Sequence, residues 1–314
     1  MALQLNSFPI DQPVMPEERQ IGRLPSIESL ETRLALPAHQ WLIGERRIGK
    51  TSVAKAALAR LRKNGSVAID VDLSKLEIST TPAFAGEIAR QAQAGRAGDA
   101  AAVAGRVLGF ARKQTGRAKE LSSTLNQLGY EDAGEALKAV SAVLAGADDG
   151  APGLDRILGA VALHARATER RAYVLLDEIH LLANLDQAQE GVARWCREAE
   201  SPLVFIFAGS EESAAQALRE GRQPLASIGE EFQLAEIAKE DWMPGLRSRF
   251  AEAEVTIADD ELEAILAASD CHPRRTMLVA SRVRASAAGE PDRTATPTVV
   301  ELAIKTAEGD RSWR

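Results

Sequence analysis

Apolar residues recur along this chain with two different periods. Val53, Ala57 and Leu61 lie four residues apart, the spacing of a buried helix face, and the helix they predict should stop at Asn64-Gly65, a left-handed capping pair. Ile27, Leu30 and Leu34 predict an earlier helix over about Ser26–Leu36. Short apolar-rich runs tell a different story. His39–Ile43, Val67–Asp72, Tyr173–Leu176 and Leu203–Ala208 suit parallel strands buried on both faces, with a shorter strand near Glu231–Leu234. From about Thr81 to Thr168 the pattern is helical and rich in Ala, Gly and Arg. That stretch is long for a single crossover, so it predicts an inserted helical hairpin or subdomain, with a loop at Gly146–Gly153. Residues 1–20 carry Pro9, Pro13 and Pro16 and read as an extended arm. Beyond Ala235 the chain reads helical, and Thr296-Pro297 opens its last helix. Alternating strands and helices followed by a helical block predict an α/β fold: a parallel sheet of about five strands, a helical insert and a C-terminal helical lid. The expected division is an arm at 1–20, a core at 21–234 with its insert at about 81–168, and a lid with a short tail at 235–314.

The chemistry enters between the first strand and its helix. Gly44-Glu45-Arg46-Arg47-Ile48-Gly49-Lys50-Thr51 is a complete G-x-x-x-x-G-K-[ST] phosphate-binding loop, followed by Ser52, in the strand–loop–helix setting that the motif requires. Gly44 and Gly49 let backbone N–H groups curl around phosphate oxygens, and the helix N-terminus adds partial positive charge. Lys50 is expected to meet the β- and γ-phosphates, and the Thr51 hydroxyl to bind Mg²⁺. The second half of the expected site is Asp177-Glu178, at the carboxyl end of an apolar run, where an open α/β sheet binds ligands. Asp177 is expected to hold Mg²⁺ through water, and Glu178 to polarise an attacking water. Both carboxylates together favour hydrolysis over passive binding, and they argue against a small-substrate kinase. The nucleotide expected is ATP, because no N-K-x-D guanine-reading segment occurs.

Composition narrows the class. The net charge of −7 means that the surface as a whole does not attract nucleic acid, although a local patch can. One such patch is Arg96, Arg106, Arg112, Lys113, Arg117 and Lys119, with Asp99 the one acid among them. It reads either as a solvated helix face or as a contact for nucleic acid or an acidic partner, and no aromatic interleaving supports base stacking. The two cysteines, Cys196 and Cys271, make no disulfide framework and fit a reducing cytosol. No cationic leader opens the chain and no apolar run reaches membrane-spanning length, so a cytoplasmic protein is expected. The histidines show no metal-ligand spacing, and His180, next to the acidic pair, reads as a structural polar residue.

Taken together, these residues resemble the AAA+ and STAND-like branch of P-loop ATPases, in particular the archaeal-type ATPases and their origin-recognition and helicase-loader relatives, over roughly residues 20–308. Ile21-Gly22-Arg23 is similar to the family's opening GR segment, which lies against the adenine. Residues 44–52 are close to its GxRRIGKTS loop. Phe207-Ala208-Gly209-Ser210 matches its strand ending AGS, which implies that Ser210 senses the γ-phosphate. Cys271-His272-Pro273-Arg274-Arg275 resembles its GHP lid motif, which places Arg274 over the phosphates as a catalytic arginine. Cys271 replaces a glycine there. The family's PLYGR segment reads Pro224-Leu225-Ala226-Ser227-Ile228 here, without the arginine, and Arg222 is off register. Leu246-Arg247-Ser248-Arg249-Phe250 resembles the SRF arginine-finger segment of the loaders, so Arg247 or Arg249 could complete a neighbouring subunit's site in a homo-oligomer. No length for a winged helix follows the lid. The resemblance implies a Mg²⁺-dependent ATPase acting as a switch or motor on a partner protein. The alternatives are a DNA-associated ATPase, of loader or transposition-regulator type, that binds through the basic insert, and a nucleotide-stabilised scaffold.

Overall fold

Four of the five strands are among the most deeply buried segments of the chain. The computed structural model describes residues 8, 9, 14, 17–76, 80–94, 153–209, 216, 218, 219, 223–310 and 313. Within them β1 (Gln40–Ile43), β2 (Val67–Asp72), β3 (Ala172–Asp177), β4 (Leu203–Ala208) and β5 (Glu230–Gln233) form one sheet in the order β2-β3-β4-β1-β5. Every pairing is parallel. All six residues of β3 and of β4 are buried, as their unbroken apolar sequences require of strands covered on both faces. β5, Glu-Glu-Phe-Gln, lies at the edge and buries Phe232 alone, which explains its weak signal in the sequence.

The helices are α1 (Leu24–Leu34), α2 (Lys50–Lys63), α3 (Thr81–Ala94), α4 (Leu154–Ala167), α5 (Asp186–Arg197), α6 (Lys239–Glu252), α7 (Asp259–Ser269), α8 (Pro273–Ala287) and α9 (Pro297–Glu308). α1 begins and ends two residues before the expected bounds. α2 stops where expected: Gly65 has φ +82°, and the N–H of Ser66 closes back to Leu61 O at 3.1 Å. α3 and α4 form the two ends of the stretch 81–168 expected as an insert and pack into the sheet's core, while its basic run lies outside the described residues. Thr296 caps α9 through its side chain, with Pro297 in the first turn.

The chain divides into two compact units. One comprises Leu30–Ile43 and Ala57–Gln233. It holds the sheet with α3, α4 and α5, and its core includes Trp41, Phe84, Ile157, Val174, Phe205 and Phe207. Trp41 lies 4.4 Å from Phe207, centroid to centroid, and donates its indole N–H to Ile228 O. His39 joins strand to helix in the same unit. Its Nδ1 accepts the Phe205 N–H, so Nε2 carries the proton donated to Cys196 O.

The other unit comprises Met1–Ser29, Gly44–Ala56 and Leu234–Arg314. Its core is built on α6 to α9, with Trp242, Leu246, Phe250, Leu262, Ile265 and Val283. Phe8 is fully buried there, 4.9 Å from the Phe250 ring, so the N-terminal segment is anchored at this point. Residues 17–19 of the expected extended arm form a 3₁₀ turn.

Candidate functional site

β1 runs directly into the loop 44–49, and α2 starts at Lys50. Gly49 sits at φ +106°, a backbone conformation closed to side-chain-bearing residues, and this is the physical reason for glycine at that position of the motif. Arg47 also lies in the left-handed region. Glu45, Arg46 and Arg47 are exposed at the loop's apex, whereas Ile48 turns its side chain inward, leaving its backbone to line the loop. The Lys50 ammonium, 7% exposed, donates to the carbonyls of Gly44 and Glu45, at 2.7 Å each. Thr51 and Ser52 are half-buried in the first turn of α2. The Ser52 hydroxyl is engaged elsewhere: it accepts the Val14 N–H at 3.0 Å, and Gln20 donates to Ser52 O.

Arg23 is the most informative side chain in this unit. It is 4% exposed, and its guanidinium donates to Ile48 O at 2.6 Å and to Ala235 O. It therefore braces the phosphate loop to the segment that follows β5. Its Nε is buried with no acceptor, and a Cβ placed on Gly49 would lie 3.8 Å from that nitrogen. Burial lowers its pKa to about 10. A buried cation held by carbonyl dipoles, with no acidic partner among the described residues, is costly unless an anion completes its surroundings.

The segment between α7 and α8 closes on the same loop. His272 Nε2 lies 3.1 Å from Arg46 O. A carbonyl only accepts, so Nε2 carries the proton and Nδ1 is the bare nitrogen, buried without a partner. Burial lowers the His272 pKa, partly opposed by the Arg46 carbonyl, so the ring is neutral at pH 7. Asp270 and Cys271 both have positive φ, at +51° and +54°. The turn thus keeps the backbone shape of the glycine that the resemblance expected, with cysteine in its place. Arg274 is buried in the first turn of α8. Arg275 turns away, stacking on Trp313 and facing Asp270 at 3.6 Å. Of the two finger candidates, Arg249 is buried and donates to Arg19 O, so it is not presented to a neighbour, whereas Arg247 is half exposed and paired with Asp259.

In the sheet unit, β3 ends at Asp177, 5% exposed, whose Oδ1 accepts the Glu178 N–H at 3.0 Å. Glu178 adopts φ +53°, ψ +44°, a left-handed conformation that costs a non-glycine residue about 1–2 kcal/mol. Such strain concentrates at functional positions. A 3₁₀ helix, Ile179–Asn184, follows, held by the buried side chains of Ile179 and Leu182. Asp72 at the end of β2 is in register with Asp177. Burial acts to raise the Asp72 pKa, but hydrogen bonds from Lys75 and Ser74 carry it below the ordinary value. Ser210 lies outside the described residues; Gly209 before it is buried at the end of β4.

The sequence motifs had marked the loop and the acidic pair. They carried no signal for the bonds from Arg23 to Ile48 and Ala235, or from His272 to Arg46. These join residues far apart in the chain, and only the resemblance had brought Arg23 and the lid motif to the site.

The fold is thus a five-stranded parallel α/β sheet in this order, with the glycine-rich loop after β1 and the acidic pair at the end of β3. No protein-family model matches the chain, and comparison with curated proteins finds no match. Solved structures do match. The Aeropyrum pernix ORC2 protein in its ADP form is 18% identical, with a TM-score of 0.61 over 95% of this chain and 71% of that one. Cdc6p from Pyrobaculum aerophilum is 13% identical, with a TM-score of 0.55 over 96% and 70%. The Thermotoga maritima RuvB Holliday junction branch migration motor is 14% identical, with a TM-score of 0.52 over 94% and 73%. At these identities the likeness defines the fold. Among the described residues, no helix is long and apolar enough to cross a membrane.

Proposed function

We propose that this chain is a Mg²⁺-dependent ATPase whose nucleotide state acts as a switch or motor on a separate partner protein. The observation that carries the reading is the buried Arg23 guanidinium, held by backbone carbonyls beside the phosphate loop with no acidic partner among the described residues. In this reading loop residues 44–52 cradle the triphosphate, Lys50 and Arg274 neutralise its β- and γ-oxygens, and Ser210 senses the γ-phosphate. The Thr51 hydroxyl and the Asp177 carboxylate are hard oxygen donors of the kind Mg²⁺ prefers, and the ion would supply charge neutralisation on the phosphates. Glu178 orients the attacking water and accepts its proton. The new O–P bond forms as the bond to the β,γ-bridging oxygen breaks, its electron pair remaining on ADP. The residue ranges 21–234 for the ATPase core and 235–314 for the helical lid belong to the same proposal. That the similar ORC2 structure was solved in its ADP form supports the choice of an adenine nucleotide.

A second reading, a DNA-associated ATPase, draws on the basic run at Arg96–Lys119 and on the similar Aeropyrum pernix ORC1 protein, solved in complex with DNA. The net charge of −7 weighs against it. Two assays test the pair of readings. Phosphate release from ATP should require Mg²⁺ and should drop in Asp177→Asn; ATP that is neither bound nor turned over by the wild type would refute both readings. Duplex binding that weakens steeply with salt would favour the DNA-associated form, and its absence the protein-directed switch.

A further inference from the structure

The mechanism above uses Glu178, whose carboxylate must be aligned with the attacking water. The side chain is long and only partly enclosed, 26% exposed, and misalignment of a catalytic carboxylate costs rate. Its backbone is set by β3, by the left-handed turn and by the Leu181 N–H, which returns to Glu178 O at 2.9 Å.

His180 stands two residues on, in the 3₁₀ helix Ile179–Asn184, and that helix is held from both sides. Ile179 and Leu182 are fully buried, and the Gln189 amide of α5 donates to Leu182 O at 3.1 Å. The imidazole is itself largely enclosed, 17% exposed, and its Nδ1 lies 3.3 Å from Glu178 Oε2. That nitrogen is buried and makes no well-aligned hydrogen bond. A polar atom buried in this way is costly unless a partner is completed. Hydrogen bonds of catalytic groups are commonly long or poorly aligned before substrate arrives and tighten in the loaded complex.

We propose that His180 is a positioning residue for Glu178: its Nδ1–H pins Oε2, so that Oε1 is the oxygen turned to the attacking water. The inference rests on the ATPase reading and adds to it a residue that no motif assigned. It makes His180 act through Glu178, without touching substrate. Loss of the pin costs alignment and leaves nucleotide binding alone, which is the kinetic signature of an interaction needed in the transition state only.

The test is steady-state ATP turnover and ATP calorimetry on the full chain. His180→Ala should lower kcat about tenfold, the scale of a lost orienting partner, with ATP affinity within about twofold of wild type. His180→Asn, which keeps an N–H near the Nδ1 position, should restore most of the rate. In the Glu178→Gln background, His180→Ala should cause no further loss. Should His180→Ala fail to fold, His180→Leu against His180→Asn makes the same comparison. A wild-type or raised kcat in His180→Ala, an Asn variant as slow as Ala, or a full tenfold loss on top of Glu178→Gln would each overturn the proposal. Wild-type turnover in Glu178→Gln alone would take Glu178 out of the mechanism, and this inference with it, whereas absence of turnover by the wild type is the distinct result that removes the ATPase reading.

Discussion

The phosphate loop and the carboxyl end of β3 handle opposite charges in similar ways. Around the loop, buried cations are held by main-chain carbonyls: Lys50 by those of Gly44 and Glu45, Arg23 by those of Ile48 and Ala235. At the strand end, the buried Asp177 carboxylate accepts a main-chain N–H, and Glu178 is fixed in a strained backbone conformation. Backbone dipoles orient a charge without cancelling it. Preorganised dipoles and charges of this kind are what charge-stabilising sites are built from. Asp72 shares a register with Asp177, and Lys75 lies 2.8 Å from its carboxylate and acts electrostatically on both acids.

The largest effect that this comparison predicts is a separation of chemistry from binding. Glu178→Gln should slow ATP turnover about a hundredfold, roughly 2.7 kcal/mol in the barrier, while calorimetry finds Mg·ATP still bound. Turnover at the wild-type rate would take Glu178 out of the mechanism.

On the cationic side, Arg23→Leu removes the brace and its charge together. ATP affinity should fall about tenfold, or 1.4 kcal/mol, and the rise in melting temperature on adding ATP should shrink. An unchanged nucleotide-induced shift would show that Arg23 serves the fold alone.

A smaller effect is expected at the turn before α8. Cys271 occupies φ +54°, where glycine carries no steric penalty. Cys271→Gly should relieve about 1 kcal/mol of strain, read as a higher denaturant midpoint at unchanged slope. A lower midpoint would mean that packing of the thiol outweighs the backbone cost.

The smallest is a pH effect in the sheet unit. Burial lowers the His39 pKa, partly opposed by its bond to the Cys196 carbonyl. The unfolded chain therefore binds this proton at higher pH than the folded one. The contribution of neutral His39 is fully present above about 6.5, the ordinary histidine value, and is lost as pH falls through the lowered folded value. His39→Gln should flatten that part of the stability profile, measured by chemical unfolding at several pH values; an unaltered profile would assign the acid sensitivity to other groups.

Much of the fold was legible because its signals are local. β1, β3 and β4 follow from short apolar runs, α2 from the spacing of Val53, Ala57 and Leu61, and its end from Asn64-Gly65. The loop and the acidic pair were legible because Gly49 and Lys50 answer to a spacing that phosphate chemistry demands. What could not be read joins distant segments. Arg23 reaches Ala235 across 212 positions, and Phe205 reaches His39 across 166. Phe8 is buried against Phe250 although a proline-rich stretch surrounds it. The burial of Arg249 was equally hidden, since an arginine in an SRF segment reads the same whether it faces solvent or the Arg19 carbonyl.

The central claim is that the loop and its buried cations form an ATP site. Its most direct test is calorimetric titration of Mg·ATP into the wild type and Lys50→Ala. The expected result is saturable one-to-one binding by the wild type, weakened at least tenfold in Lys50→Ala, as loss of a charged hydrogen-bond donor to phosphate requires. Equal affinity in the two proteins, or no binding by the wild type, would contradict it.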